Sequence, residues 1–271
     1  MKKDAIREAV RDRYGRIAEG AEESRCGTSC CGGTSERSVS TAVGYDEEQL
    51  GRIPEGADLG LGSGNPVAHA DLQEGETVLD LGSGGGIDSF LASEKVGPSG
   101  SVIGVDMTPE MVTRARANAR KGGYTNVDFR LGEIESLPVA DATVDAIISN
   151  CVLNLSPERD RVLGEALRVL KPGGRLVISD LVCDEPIPAQ LREEAGAATM
   201  CLPVEREDYV SQLRAAGFVD IKISTGQTYP HEALSSTPIV QRIAAEEPAL
   251  TGSLEAFADS VSGVIIEGRR A

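Results

Sequence analysis

The sequence predicts an α/β protein built on a doubly wound, mostly parallel sheet, with an N-terminal helix-and-loop segment before it and a small α+β unit after it. Three observations carry the prediction. From Thr77 onward, short apolar runs alternate with amphipathic helical stretches, the rhythm of a parallel sheet covered on both faces. The first run ends in an acid and a glycine cluster, Val78-Leu79-Asp80-Leu81-Gly82-Ser83-Gly84-Gly85-Gly86. The next run, Val102-Ile103-Gly104-Val105-Asp106, ends in a second acid ~20 residues after the cluster.

In chain order, Ile6, Ala9, Val10, Tyr14 and Ile17 fall on one face of a helix over 4–18, with Arg and Glu on the other. The stretch 20–40 is small, polar and Gly-rich, which reads as a loop, and it holds Cys26, Cys30 and Cys31. A short helix is expected over 46–50, and Leu59-Gly60-Leu61-Gly62-Ser63-Gly64-Asn65-Pro66 reads as a loop. Strands are expected at 77–81, 102–106, 127–131, 144–149 and 174–180, with helices at 87–95, 109–121 and 158–170. Thr108-Pro109 is a helix start, with Thr as N-cap and Pro at the first helical position. Lys171-Pro172-Gly173-Gly174 stops a helix and turns into a strand. After Pro186 the rhythm changes: helices near 189–200 and 205–216, a strand at 218–224 and an apolar run at 261–266. These shifts divide the chain into 1–70, 71–182 and 183–271, the last expected as an appended accessory unit.

At 271 residues the chain has room for a sizeable core. Its formal net charge of −16 argues against nucleic acid and anionic membrane as partners, because both repel an acidic surface. No apolar run reaches the roughly 18 residues that span a bilayer, and the charged residues 1–14 lack the apolar centre of a signal peptide. A cytoplasmic location is expected, where cysteines serve more often as ligands or nucleophiles than in disulfides.

The glycine turn with Asp106 behind it points to a nucleoside cofactor: the glycines let a ligand approach the backbone, and Asp106 offers a carboxylate to ribose hydroxyls. A dinucleotide and S-adenosylmethionine both remain open, although the order Gly-x-Gly-Gly-Gly is not the Gly-x-Gly-x-x-Gly of a pyrophosphate site. Cys151 directly follows the strand at 144–149, at the mouth where open parallel sheets bind ligands; a buried small apolar role is its plainer reading. Cys201 and Cys183, taken alone, read as core residues. Cys26-x-x-x-Cys30-Cys31 suits a soft-metal ligand set, a redox pair or an incidental exposed cluster. Zinc is disfavoured, because no second CxxC completes a tetrahedral set and the histidines are His69 and His231.

With Asp80 before it, the glycine segment resembles the first motif of class I S-adenosylmethionine-dependent methyltransferases, which have a Rossmann-like sheet. The resemblance implies that Asp80, Gly82, Ser83, Gly84 and Gly86 bind the cofactor, its glycines passing under the amino-acid end. It further implies that Asp106 holds the ribose, Met107 packs on the adenine, and Glu133 and Ile134 of Gly132-Glu133-Ile134-Glu135-Ser136-Leu137-Pro138 flank it. Asn150 would end the strand that faces the donated methyl. The Cys30-Cys31-Gly32 loop, the Leu59–Pro66 segment, Asn150-Cys151-Val152-Leu153-Asn154-Leu155 and Cys201 together resemble the arsenite S-adenosylmethionine methyltransferase family over most of the chain.

That likeness implies methyl transfer to trivalent arsenic, delivered as a thiol conjugate and held by Cys151 and Cys201. Cys30 or Cys31 would load arsenic or cycle through disulfides, and a thiol reductant such as glutathione or thioredoxin would be required. Many family members have Cys where this chain has Ser63, so a third thiolate from that loop is absent; a hydroxyl is a poor ligand for a thiophilic centre. Two other readings stand beside this one. The first is methylation of a small organic substrate with incidental cysteines. The second is a non-catalytic thiol-based metalloid binder, which the intact glycine turn and Asp106 argue against.

Overall fold

The computed structural model describes residues 3–21, 36–193, 202–228 and 237–271. Cys26, Cys30, Cys31, Cys201 and His231 lie outside the described residues. Helix α1 (Lys3–Ala18) is followed by α2 (Glu36–Ala42), α3 (Glu47–Arg52) and α4 (Pro66–His69). The alternating region then runs β1 (Thr77–Leu81), α5 (Ile87–Val96), β2 (Ser101–Asp106), α6 (Pro109–Gly122), β3 (Val127–Leu131), β4 (Val144–Asn150), α7 (Arg159–Val169) and β5 (Leu170–Cys183). The remainder gives α8 (Ala189–Glu193), β6 (Val204–Glu205), α9 (Arg206–Ala216), β7 (Phe218–Thr228), α10 (Pro238–Glu246), α11 (Thr251–Ser260) and β8 (Ser262–Arg270).

Among the described residues, eight strands form one sheet in the order β3-β2-β1-β4-β5-β8-β7, with β6 beside β5. Strands β1 to β5 are parallel, and β8 runs antiparallel to both β5 and β7. The order reverses between β1 and β4, which opens the crevice where doubly wound sheets bind ligands. Period-two alternation sends Leu79, Leu81 and Ile147 into a core under α7 and α9. It sends Val78, Ala146 and Ile148 into a second core under α4, α5 and α6. Asp80 and Asn150 share the second face by the same alternation.

Local chemistry explains the starts of these elements. Asp46 accepts from Gln49 N while Gln49 accepts from Asp46 N, a reciprocal capping box that starts α3. Asn65 caps α4 by accepting from Ala68 N, with Pro66 at its first turn. Thr108 occupies the N-cap of α6 with Pro109 after it, as expected, but its side chain makes no cap bond. Instead Thr108 N donates to Asp106 Oδ1 at 2.9 Å, tying the helix start to the carboxylate of β2.

One expectation needs correction. β5 begins at Leu170, well before 174, because Leu170 pairs with Val144 and Arg175 with Ala146, so Lys171–Gly174 bulge out of an otherwise continuous strand. The tail also contributes a strand to the main sheet. β8 pairs with β5 along Arg175–Val182 and sends Val264 and Ile266 to one core and Ile265 to the other. Left without β8, β5 would be an apolar edge open to other chains. The helical part of the tail, α8, α10 and α11, does form its own cap. Leu191, Val240, Ile243, Leu254, Phe257 and Ala258 pack on Cys151, Leu181 and Cys183 at the carboxyl ends of β4 and β5.

Candidate active site

The carboxyl ends of β1, β2 and β4 open into a cleft. Its floor is the turn after β1. Gly82 has φ +67°, and a Cβ there would collide with Val152, so glycine is required on both counts. Gly82 N and Ser83 N donate to Val105 O at 2.7 and 3.0 Å, which locks the turn against β2. Gly84, at φ +51°, has nothing within 4 Å of a Cβ position, so its backbone faces open space. Gly84 N donates to Asp106 Oδ2 at 3.0 Å. Burial pushes the Asp106 carboxyl up, and the Thr108 and Gly84 N–H groups hold it down.

Ser83 Oγ is the buried side-chain oxygen without a hydrogen-bond partner among the described residues. Buried hydroxyls in native proteins are rarely left so. An orphaned hydroxyl, a bare glycine backbone and a carboxylate converge here, and a ligand with ribose hydroxyls and a charged amino-acid end satisfies all three. The residues therefore fit an S-adenosyl cofactor. Met107, Met111 and Ile134 add an apolar wall, and polarizable Met side chains suit a flat aromatic ring.

The N-terminal helix closes one side. Arg7, Val10 and Tyr14 line the cleft from α1. Arg7 reaches Glu158 and buried Glu135, which also accepts from Ser156 Oγ at 2.6 Å. Salt-bridging to Lys3 and Arg7 holds the Glu158 carboxyl down at about 2. Glu133 does not line the cleft: it is 42% exposed and pairs with Arg11 and Arg7, while Glu135, two residues on, takes the inward place. Gly86 also lies outside the lining, as the N-cap of α5 at φ +101°. Asp80, Gly82, Ser83, Gly84, Asp106, Met107, Ile134, Asn150 and Cys151 are brought together in one cleft.

The opposite end is a side-chain network. Asn150 Nδ2 lies 2.7 Å from Gly64 O, 2.8 Å from Tyr45 Oη and 3.1 Å from Asp88 Oδ2, and Asn150 Oδ1 accepts from Ser63 N at 2.9 Å. Tyr45 Oη donates to Asp88 Oδ1 at 2.7 Å. Burial pushes Asp88 up to about 6, partly offset by the Tyr45 and Asn150 hydrogen bonds. Burial and the nearby Asp88 also push Asp80 up, against the hydrogen bond from Ser89 Oγ at 2.6 Å. Sequence reasoning missed Arg7, Tyr45, Asp88 and Glu135 as lining residues. Their signals were weak, since each reads as an ordinary polar residue of a helix or loop.

Cys151 follows Asn150 with φ +58°, a left-handed conformation that a non-glycine residue holds only under constraint. Its N–H donates to Ser179 O at 2.8 Å, and its side chain is 6% exposed at the cleft wall. Cys183, at the end of β5, is fully buried in the same apolar cluster and does not line the cleft; burial pushes its thiol up to about 12. His69 is exposed on α4, and no group of metal-ligating side chains occurs among the described residues.

Residues 72–224, more than half of the chain, match the family described as a methyltransferase domain. The chain is 48% identical over 232 residues to an arsenite methyltransferase of Halobacterium salinarum, covering 82% of this chain and 59% of that protein. It is 38% identical over 232 residues to an arsenite methyltransferase of Aquipseudomonas alcaligenes, covering 82% of this chain and 64% of that protein. The chain thus matches about three fifths of the length of these relatives. Among solved structures it is similar to an arsenic(III) S-adenosylmethionine methyltransferase from Chlamydomonas reinhardtii, with TM-score 0.59 and 31% identity over 85% of this chain and 72% of that one. The motif, the cleft and these similarities agree: the chain belongs to the arsenite S-adenosylmethionine methyltransferase family.

Proposed function

We propose that this chain transfers methyl groups from S-adenosylmethionine to trivalent arsenic bound by cysteine thiolates. The observation that carries the reading is Cys151, a strained thiol at the carboxyl end of β4, in the wall of the cleft that holds Ser83, Gly84 and Asp106. Bound there, S-adenosylmethionine supplies an electrophilic methyl on a sulfonium. Asp106 and Ser83 hold the ribose, Gly84 bares its backbone to the amino-acid end, and Met107 and Ile134 flank the adenine. Cys151 binds arsenic as the thiolate, replacing a thiol or hydroxide ligand and fixing the direction of the arsenic lone pair.

Positioning is then the main catalytic contribution, because arsenic carries no proton to remove and needs no general base. That suits a cleft with no histidine among its described lining residues. Cys201 serves as the second arsenic ligand, and Cys30 or Cys31 loads arsenic from a thiol conjugate. A thiol reductant such as glutathione or thioredoxin restores these cysteines in the cytoplasm. The helices of 183–271 then act as the accessory cover over the thiol end, and 1–70 as the cover over the donor end.

The test is incubation of reduced protein with arsenite, S-adenosylmethionine and glutathione, followed by chromatography with elemental mass detection. Mono- or dimethylated arsenic that depends on the donor is expected. Donor binding without any methylated arsenic would overturn the reading in favour of an organic substrate.

A further inference from the structure

Two buried carboxyl groups of the donor cleft have no cationic partner among the described residues. Asp80 and Asp88 both line it and are 2% and 3% exposed. Asp80 accepts from Ser89, and Asp88 from Tyr45 and Asn150, all neutral donors. The groups that face Asp88 are Tyr45 from the segment before α3, Asp58 from the loop after it, Asp80 from β1 and Asn150 from β4. None of them is a cation. Arg7 is the cationic side chain in the lining among the described residues, and Glu135 and Glu158 engage it at the α1 side. Two neighbouring buried carboxylates without a cation are costly, and a positively charged ligand removes that cost.

Asp88, unlike Asp80, is joined to the reactive end. Its Asn150 partner directly precedes Cys151 and also holds the Ser63–Gly64 backbone. Resting on the donor reading above, the geometry points to Asp88 as a specificity-determining residue that recognises the sulfonium charge of the donor, the methionyl ammonium being common to donor and product. The cleft then holds the sulfonium donor in preference to the neutral thioether product. Tyr45 and Asn150 are positioning residues that aim the carboxylate. Methyl transfer removes the sulfonium charge, so the spent product loses its partner and leaves more readily. Because burial raises Asp88 to about 6, the donor also displaces its proton near that pH.

Isothermal titration of the full chain with S-adenosylmethionine and with S-adenosylhomocysteine tests this. Asp88→Asn is expected to weaken the donor about tenfold or more and the product about twofold or less. Equal losses for both ligands, or none for either, would overturn the assignment. Tyr45→Phe is expected to shift the same preference in the same direction by a smaller factor. In the unaltered protein at pH about 6, an indicator dye should report proton release on adding donor and none on adding product; equal release with both would also overturn it. A protein that binds neither ligand would end the donor reading as well. Unchanged Asp88→Asn affinities alongside normal donor binding would end only this assignment.

Discussion

Cys151 and Cys183 close adjacent strands and pack in one apolar cluster, yet the structure treats them oppositely. Cys151 sits where β4 ends, turned by a positive φ into the cleft wall. Cys183 ends β5 with no face on the cleft, and desolvation, with Glu205 and Asp184 nearby, keeps it protonated up to about 12. A thiol needs its thiolate form to bind a soft centre or attack, and at Cys183 desolvation with Glu205 and Asp184 outweighs the opposing Arg192 and Arg206 charges. The difference shows that a cysteine's neighbours in the sequence say less about its use than the strand end it occupies and the direction the backbone gives it.

The largest expected effect breaks this comparison at Cys151. Cys151→Ser should lower arsenic methylation at least about 100-fold while donor affinity stays within about twofold, read by product chromatography and by titration calorimetry. Next, Asp106→Ala should weaken donor binding about tenfold and leave metalloid binding to the thiols intact, because Asp106 anchors the Gly84 and Thr108 N–H groups on the donor side.

A third prediction concerns stability behind the site. Asp180 is fully buried on β5, accepts from Tyr209 Oη at 3.2 Å, and is pushed up by burial to about 7. A folded-state pKa above the unfolded value of about 3.9 means that the folded protein binds this proton more tightly. The contribution is therefore fully present below about pH 4 and is lost as pH rises through about 7. Asp180→Asn should remove this slope. Between pH 5 and 8 the variant should lose on the order of 1–3 kcal/mol less stability than the parent in urea titrations. A parallel pH profile for the two proteins would contradict the assignment.

The smallest effect is at Cys183, where Cys183→Ser should change methylation less than about twofold but cost about 1–2 kcal/mol by burying a more polar hydroxyl in an apolar cluster. In the unaltered protein, peptide mapping after brief alkylation at neutral pH should leave Cys183 unmodified.

The same contrast governs what was legible in the sequence. The donor half of the cleft is local chain: an apolar run, an acid, glycines and a second acid on the next strand. Residues such as Gly82, Gly84 and Asp106 are near one another in sequence order of strands, so pattern and spacing found them. Helix α3 was legible for the same reason, through Asp46 and Gln49. The other half is assembled from distant segments. Tyr45, Asp88 and Asn150 come from a loop, a helix and a strand end, and nothing in their spacing announces that they share one hydrogen-bond network. Glu133 and Glu135 look alike in the sequence; in the structure Arg7 reaches both, and what separates them is that Glu135 is buried while Glu133 is 42% exposed. The place of β8 was hidden because an apolar run does not say which edge it will cover.

The most direct test of the central claim compares the two thiols in one experiment. Parent, Cys151→Ser and Cys183→Ser proteins, each saturated with donor, would be given arsenite and glutathione, and the first methylated arsenic formed would be quantified. The account predicts product from the parent and Cys183→Ser at closely similar rates and essentially none from Cys151→Ser. Product from Cys151→Ser at the parental rate, or its loss in Cys183→Ser alone with the fold intact, would contradict it.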